Sequence, residues 1–264
     1  MTTITSRKNP VIGEYRRLGA DRDYRRETRS CLGQGRKLLE EALAAGLALT
    51  SVMSAEPVVE LDPAVSRYYV TPELLDYVSP MKTAPELLFV CRVPDAGPVE
   101  GDRLLLAEDL QDPGNVGTLI RTANAFGFDG VILAGACADP FGPKAVRASM
   151  GAVFRRRVWT MSSGEAILAL KEKGVPLVAA ALRADAETLG KWEFPQRLAL
   201  AIGNEGHGLS AEMLEAADRV VRIPMEPGAE SLNAGAAAAV LLWEVYRRRV
   251  TVGGSRTAGK RPAY

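Results

Sequence analysis

Three short stretches of this chain set polar residues between glycines, prolines and apolar runs, a pattern suited to holding a polar ligand and moving charge. Residues 110–121 read L-Q-D-P-G-N-V-G-T-L-I-R. Pro113-Gly114 is a turn pair, because proline fixes φ and glycine accepts a positive one. Asn115 then falls at a helix start, and Val116, Leu119, Ile120, Ala123 and Phe126 repeat at helical spacing as a core face. Arg121 lies off that face, beside Thr118 and Thr122. It is either an exposed, salt-bridging side chain or a cation held above the carboxyl edge of a sheet, where α/β proteins bind ligands.

Residues 202–208 read I-G-N-E-G-H-G. The glycines let backbone approach a ligand closely, yet the G-x-G-x-x-G order of a dinucleotide loop is absent, which counts against an oxidoreductase. Glu205 stands out, since an ordinary tight turn has no need of a carboxylate. His207 is the sole histidine; flanked by glycines it suits a solvated loop, and one histidine builds no metal site, so no metal is expected. Residues 223–233 read I-P-M-E-P-G-A-E-S-L-N. Pro224 and Pro227 exclude both helix and central strand. Ser231 or Asn233 can cap the helix that follows. Alternatively, both can face a substrate at that helix N-terminus, where free N–H groups gather ligands.

The elements that must position these stretches follow from apolar runs. Residues 104–107, 130–134, 153–158, 177–181, 198–202 and 219–223 read as short strands. Their continuous apolar character suits strands covered on both faces, hence a parallel sheet. Helices are expected at 116–126, 144–148, 164–173, 211–216 and 232–249. All three polar stretches leave the ends of strands, so they can converge on one crevice. Ahead of them, residues 1–6 read as a loose start. Helices at 10–18, 35–45 and 71–78 alternate with strands at 51–54, 68–70 and 87–93; Thr71 is the expected N-cap with Pro72 at the first helical position. The expected division is a small α/β domain at 1–95, a linker at 96–102 within the Pro/Gly-rich stretch 94–102, a larger α/β domain at 103–250 and a flexible basic tail at 251–264.

Composition narrows the class. The chain has 264 residues, 47% apolar and 25% charged, with net charge +1, so it is globular and any nucleic-acid affinity must come from local patches. One such patch spans residues 7–37, with Arg7, Lys8, Arg16, Arg17, Arg22, Arg25, Arg26, Arg29, Arg36 and Lys37 against four acids; it is either a solvated helical face or an RNA contact. Cys31, Cys91 and Cys137 form neither a zinc spacing nor a disulfide framework. With no signal peptide and no run long enough to cross a bilayer, a cytoplasmic location is expected.

The stretches D-P-G-N-V-G-T-L-I-R-T-A-N-A-F-G, I-G-N-E-G-H-G-L-S and I-P-M-E-P-G-A-E-S-L-N-A-G-A-A-A-A resemble, in order, the three motifs of the SpoU (TrmH-like) RNA 2′-O-ribose methyltransferases of the SPOUT superfamily. The resemblance covers about residues 103–249, and the first 95 residues look like the small α/β RNA-binding domain that precedes the catalytic domain in ribosomal-RNA members. It implies a parallel-sheet α/β domain with a C-terminal trefoil knot, S-adenosyl-L-methionine as cofactor, RNA as substrate and a homodimer. Carried over by position, Gly203, Ile223 and Leu232 would line the cofactor pocket. Asn115, Arg121, Glu205, Ser231 and Asn233 would surround the reaction centre. One departure is A-G-A-A-A-A after S-L-N, where members commonly read V-S-V-A.

The implied reaction passes a methyl group from a sulfonium to a ribose 2′-oxygen. Arg121 is proposed in this family as the base, but a guanidinium stays protonated in proteins. Stabilising the developing alkoxide, or gripping a neighbouring phosphate that takes the proton, suits it better. Glu205 would orient Arg121 or the ribose, and Ser231 and Asn233 would hold the nucleotide. Ribosomal RNA is favoured by the N-terminal domain. Transfer RNA as substrate, or a non-catalytic RNA-binding or assembly factor with a relic pocket, are the alternatives.

Overall fold

The computed structural model describes residues 2–58, 61–81, 85–226, 228 and 231–252. Pro227 and most of the expected tail lie outside the described residues.

The first sheet is built from β1 (Thr2–Thr3), α1 (Pro10–Ala20), α2 (Arg22–Thr28), β2 (Ser30–Gln34), α3 (Arg36–Ala44), β3 (Leu49–Ser54), β4 (Ser66–Tyr69), α4 (Pro72–Val78) and β5 (Leu87–Arg92). Its order is β1-β4-β3-β5-β2, with β5 antiparallel to both neighbours. The helix starts obey local chemistry. Asn9 caps α1 through Val11 N at 2.9 Å, and Thr71 caps α4 through Leu74 N at 3.3 Å, each ahead of a proline. Residues 2–3 form an edge strand rather than a loose start, because Ile4 behind them is buried with α1 and α4.

Two elements inside the basic stretch are not apparent from periodicity, α2 and β2. The arginines of α2 hide its short length, and β2 has only Cys31 and Leu32 as apolar markers. Gly33 in β2 is required by packing, since an added Cβ would lie 2.0 Å from the Phe89 ring on β5. Across the same pair, Cys31 and Cys91 face each other with Sγ atoms 3.4 Å apart as free thiols. Sequence distance concealed that contact.

The second sheet comprises β6 (Arg103–Glu108), α5 (Pro113–Ala125), β7 (Gly130–Ala134), α6 (Pro143–Ser149), a 3-10 turn Ala152–Phe154, β8 (Arg157–Met161), α7 (Ser163–Lys173), β9 (Leu177–Ala180), β10 (Glu187–Thr188), β11 (Leu198–Ile202), α8 (Ala211–Ala216), β12 (Arg219–Arg222) and α9 (Ala234–Val252). Its order is β10-β12-β9-β11-β6-β7-β8, and every pair is parallel. This is the expected α/β class with a parallel sheet.

Leu104 and Leu106 face α7 and α8, while Leu105 and Ala107 face α5, α6 and α9. Both faces are covered, which is why the strands read as unbroken apolar runs. The expected strand at 153–158 is displaced to β8. Met150 and Gly151 take left-handed backbone, and Val153 and Phe154 are buried on a 3-10 turn instead. Helix α9 also runs to Val252, two residues into the expected tail.

The apolar cluster on the α5 face does not stop at the second sheet. It continues through Val146 and Phe154 to Leu39, Phe89, Cys31 and Cys91 of the first. The two sheets therefore share buried surface. Among the described residues, no helix is long and apolar enough to cross a membrane.

Candidate active site

At the carboxyl ends of β6, β11 and β12 the three polar stretches meet. The first begins one turn earlier than its spacing suggests. Asp112 Oδ1 accepts the N–H of Asn115 at 2.9 Å, so Asp112 is the N-cap of α5 and Pro113 its first residue. The D-P pair was the available signal, since proline is favoured at the first helical position. Gly114 leaves the capping carboxylate room, because an added Cβ would lie 2.7 Å from Asp112 Oδ1.

Asn115 then points across to the second stretch, where its Nδ2 donates to Glu205 Oε1. Glu205 sits at the tip of a loop that closes on itself. Asn204 N donates to Gly208 O at 3.1 Å, Gly208 N returns to Asn204 O at 2.9 Å, and Gly206 N donates to Asn204 Oδ1 at 2.8 Å. Gly203 serves this closure, since a Cβ there would lie 2.2 Å from the Gly208 carbonyl carbon. His207 is exposed in the same loop.

The third stretch arrives through α9. Asn233 is its cap, with Oδ1 accepting from Ala236 N at 2.7 Å; Ser231 is exposed ahead of it and makes no cap. Gly235 sets α9 tightly against α5. An added Cβ would lie 3.2 Å from Thr118 Cγ2 and 3.7 Å from the side-chain oxygens of both Asn115 and Asn233. Gly235 thus lies close to both Asn233 and Asn115, and Asn115 bonds Glu205.

Arg121 lies further along α5, exposed, with no hydrogen bond or ion pair to any described residue. Ile223 is half-buried and packs on the core, whereas Leu232 is 40% exposed. Asn115, Glu205 and Asn233 are thus in one constellation. Arg121 and Ser231 are exposed and bonded to none of the described residues.

Two residues at the base of the crevice are absent from the motif reading. Glu108 ends β6 and is 1% exposed. It accepts from Ser163 Oγ at 2.5 Å, Ser210 Oγ at 2.9 Å and Ser210 N at 2.8 Å, so it fixes the far end of the 203–210 loop. Asp109 follows with φ of 55°. Its carbonyl accepts Asn204 Nδ2 at 2.9 Å and its Oδ1 accepts Ala136 N at 2.6 Å. A carboxylate pair closing an apolar strand was the only sequence signal for either. Nearby, burial pushes the Cys137 thiol up to about 11, so it stays protonated and donates to the carbonyls of Ala107 and Ala134.

A cavity of about 320 Å³ opens at the opposite edge of the sheet, lined by Asp102, Asp129, Lys173 and Arg197 among others. Arg197 there donates to Asp102 at 2.9 Å, and Asp129 accepts the backbone N–H groups of Asp102 and Arg103.

The chain is similar to known proteins in sequence and in fold. The model of the SpoU rRNA Methylase family matches residues 102–243. A 23S rRNA (guanosine(2553)-2′-O)-methyltransferase of Bacillus subtilis is 32% identical over 250 residues, spanning 93% of this chain and 99% of that protein. A 23S rRNA (uridine(2479)-2′-O)-methyltransferase of Streptomyces viridochromogenes is 37% identical over 192 residues, 68% of this chain and 67% of the relative. The crystal structure of an AdoMet-bound rRNA methyltransferase from Sinorhizobium meliloti superposes with a TM-score of 0.82 at 29% identity, covering 93% and 97% of the two chains. Since the family match takes in more than half of the sequence and all of the residues that meet in the crevice, this chain belongs to the SpoU rRNA methylase family.

Proposed function

We propose that this protein methylates the ribose 2′-hydroxyl of a nucleotide in ribosomal RNA, using S-adenosyl-L-methionine. The observation that carries the reading is the bond from Asn115 to Glu205 between the first two stretches, with Gly235 of the third packed close to Asn115 and Asn233, and with Arg121 exposed on the same helix as Asn115. When bound, the cofactor supplies an electrophilic methyl group. The residues present fit it: Leu232 and half-buried Ile223 offer apolar surface, and Gly206 and Gly208 leave their positions in the neighbouring exposed loop free of side chains.

This chain's residues would then do the following. Arg121, permanently cationic, stabilises the oxygen as its proton leaves or grips the adjacent phosphate, which can receive that proton. Glu205 is held by Asn115, and so keeps its second oxygen for the ribose or for Arg121. Asn233 caps α9 with its oxygen and retains its amide N–H groups for the nucleotide, alongside the Ser231 hydroxyl. Alignment of acceptor and donor supplies much of the rate advantage.

The unit of residues 1–95 is proposed as the RNA-binding domain, residues 96–102 as its connection, and residues 103–250 as the methyltransferase unit. Phosphate contacts would come from exposed basic side chains such as Lys8, Arg26 and Lys37. A homodimer belongs to the same reading. It is supported by Val240 and the 50% exposed Trp243 on α9, the latter in ring contact with Phe126 and Tyr246. The trefoil knot is also part of it: the chain leaves β12 on one side of β9 and returns as α9 against α5. Free cysteines suit work in the reducing cytoplasm.

The deciding experiment incubates the protein with labelled cofactor and separate ribosomal and transfer RNA, then maps 2′-O-methyl positions. Methylation of ribosomal RNA at one nucleotide is expected. Transfer to transfer RNA alone, or to no RNA, overturns the proposal.

A further inference from the structure

Residues 135–142, between β7 and α6, are bonded on two sides. Toward the crevice, Ala136 N donates to Asp109 Oδ1 at 2.6 Å and Ala138 N to Leu110 O at 2.7 Å. Toward the first sheet, Asp139 receives the guanidinium of Arg25, with Nε and Nη2 both 2.7 Å from Oδ2. Arg25 is 6% exposed and also donates Nη1 to Leu18 O at 2.6 Å. Arg22 adds a bond to Cys137 O at 3.2 Å. A second crossing lies nearby, where Arg155 pairs with Glu41 and a Cβ on Gly151 would lie 2.7 Å from Glu41 Cβ. Helix α6 then packs directly on α5, since a Cβ on Gly117 would lie 2.5 Å from Ala145 O.

A continuous apolar cluster already joins the two units. A buried ion pair adds little net stability over such packing, because desolvation offsets its attraction. What a directional guanidinium fork adds is orientation.

We infer that Arg25 and Asp139 are positioning residues for the reaction: they hold the RNA-binding unit at a set distance and angle from the crevice, so that RNA gripped by the first sheet presents its target ribose to Arg121. The inference rests on the RNA-methylation reading above. It makes the joint a specificity element acting only on RNA long enough to touch both units. Arg25 is also thereby withdrawn from the basic residues available to phosphate.

The test uses the full chain with Arg25→Ala, Arg25→Lys and Arg22→Ala, assayed on whole ribosomal RNA and on a short oligonucleotide carrying the modified nucleotide. For Arg25→Ala, KM for the long RNA should rise at least about tenfold, while kcat, cofactor Kd and turnover of the short RNA stay within about threefold. Arg25→Lys keeps charge but loses the fork, so it should fall between that variant and the unaltered chain. Arg22→Ala should show the same split more weakly, and it carries the test should Arg25→Ala not fold. An unchanged KM for the long RNA overturns the inference, as does an equal loss on both RNAs, which marks a merely structural pair. An unaltered chain that methylates neither RNA would overturn the underlying reading instead, a result distinct from a split that fails to appear.

Discussion

Arg121 and Arg25 are the same side chain in opposite settings, one at the rim of the crevice and one in the joint between the sheets. Arg121 is exposed and unbonded to any described residue, whereas Arg25 is buried and bonded to a carboxylate and a carbonyl. A buried guanidinium must have its donors satisfied. One waiting for a substrate must not be neutralised in advance. The contrast separates arginines that build the molecule from arginines left for a ligand, and it divides the basic N-terminal stretch in the same way. Arg17, Arg22, Arg29 and Arg36 all have protein partners.

The largest effect that would sharpen this contrast is on stability. Arg25→Ala leaves the part-buried Asp139 carboxylate without its cation, and urea unfolding should show a loss of up to about 3 kcal/mol. Replacing both partners, Arg25→Met with Asp139→Leu, should recover most of it. A loss below about 1 kcal/mol would put the joint in the class of exposed ion pairs and break the comparison. Arg121→Ala should do the reverse. Stability should stay within about 0.5 kcal/mol, while the single-turnover methylation rate falls by about 10²–10³ and cofactor affinity stays within a few-fold. An unchanged rate removes Arg121 from the mechanism.

Between these extremes lies Glu108, buried like Arg25 but serving the crevice. Glu108→Ala leaves the Ser210 N–H without its acceptor, so stability should drop by about 1–3 kcal/mol and the cofactor Kd, read by calorimetry, should rise as the 203–210 loop loosens. Asn233→Ala removes a helix cap and should cost about 1 kcal/mol. Asn233→Asp keeps that cap, so methylation lost in both variants would assign the amide to the nucleotide rather than to α9.

The smallest effect concerns Glu244 on α9. Burial pushes its carboxyl up, but bonds from Arg247 and Arg248 outweigh burial and hold it below its usual value. A lowered folded value means stability that is present above the ordinary carboxylate range and lost as pH falls through the folded value. Glu244→Gln should therefore narrow the stability difference between neutral pH and about pH 4. Parallel acid titrations of the two proteins would contradict the assignment.

Much of the larger sheet was readable because its strands are covered on both faces and so appear as bare apolar runs; β7 and β11 match the expected limits. The capped helices α1 and α4 were readable from Pro10 and from Thr71-Pro72. Elements α2 and β2 were not, since a seven-residue helix carrying three arginines and a strand with two apolar side chains have no period to detect. In the crevice, the polar residues stood out between glycines and prolines. Glu108 did not, because a carboxylate at a strand end looks like any solvent-facing terminus until burial is known.

By itself the sequence determined the class of fold, the three loops at one sheet edge and the polar residues offered there. Local punctuation and apolar runs are properties of neighbouring residues. The tertiary structure alone decided which side chains are spent and which are free. Asn115 reaches Glu205 across 90 positions, Arg25 meets Asp139 across 114, and Cys31 faces Cys91 across 60. Pairing of polar groups depends on what burial removes from water, and burial is fixed only when distant segments pack.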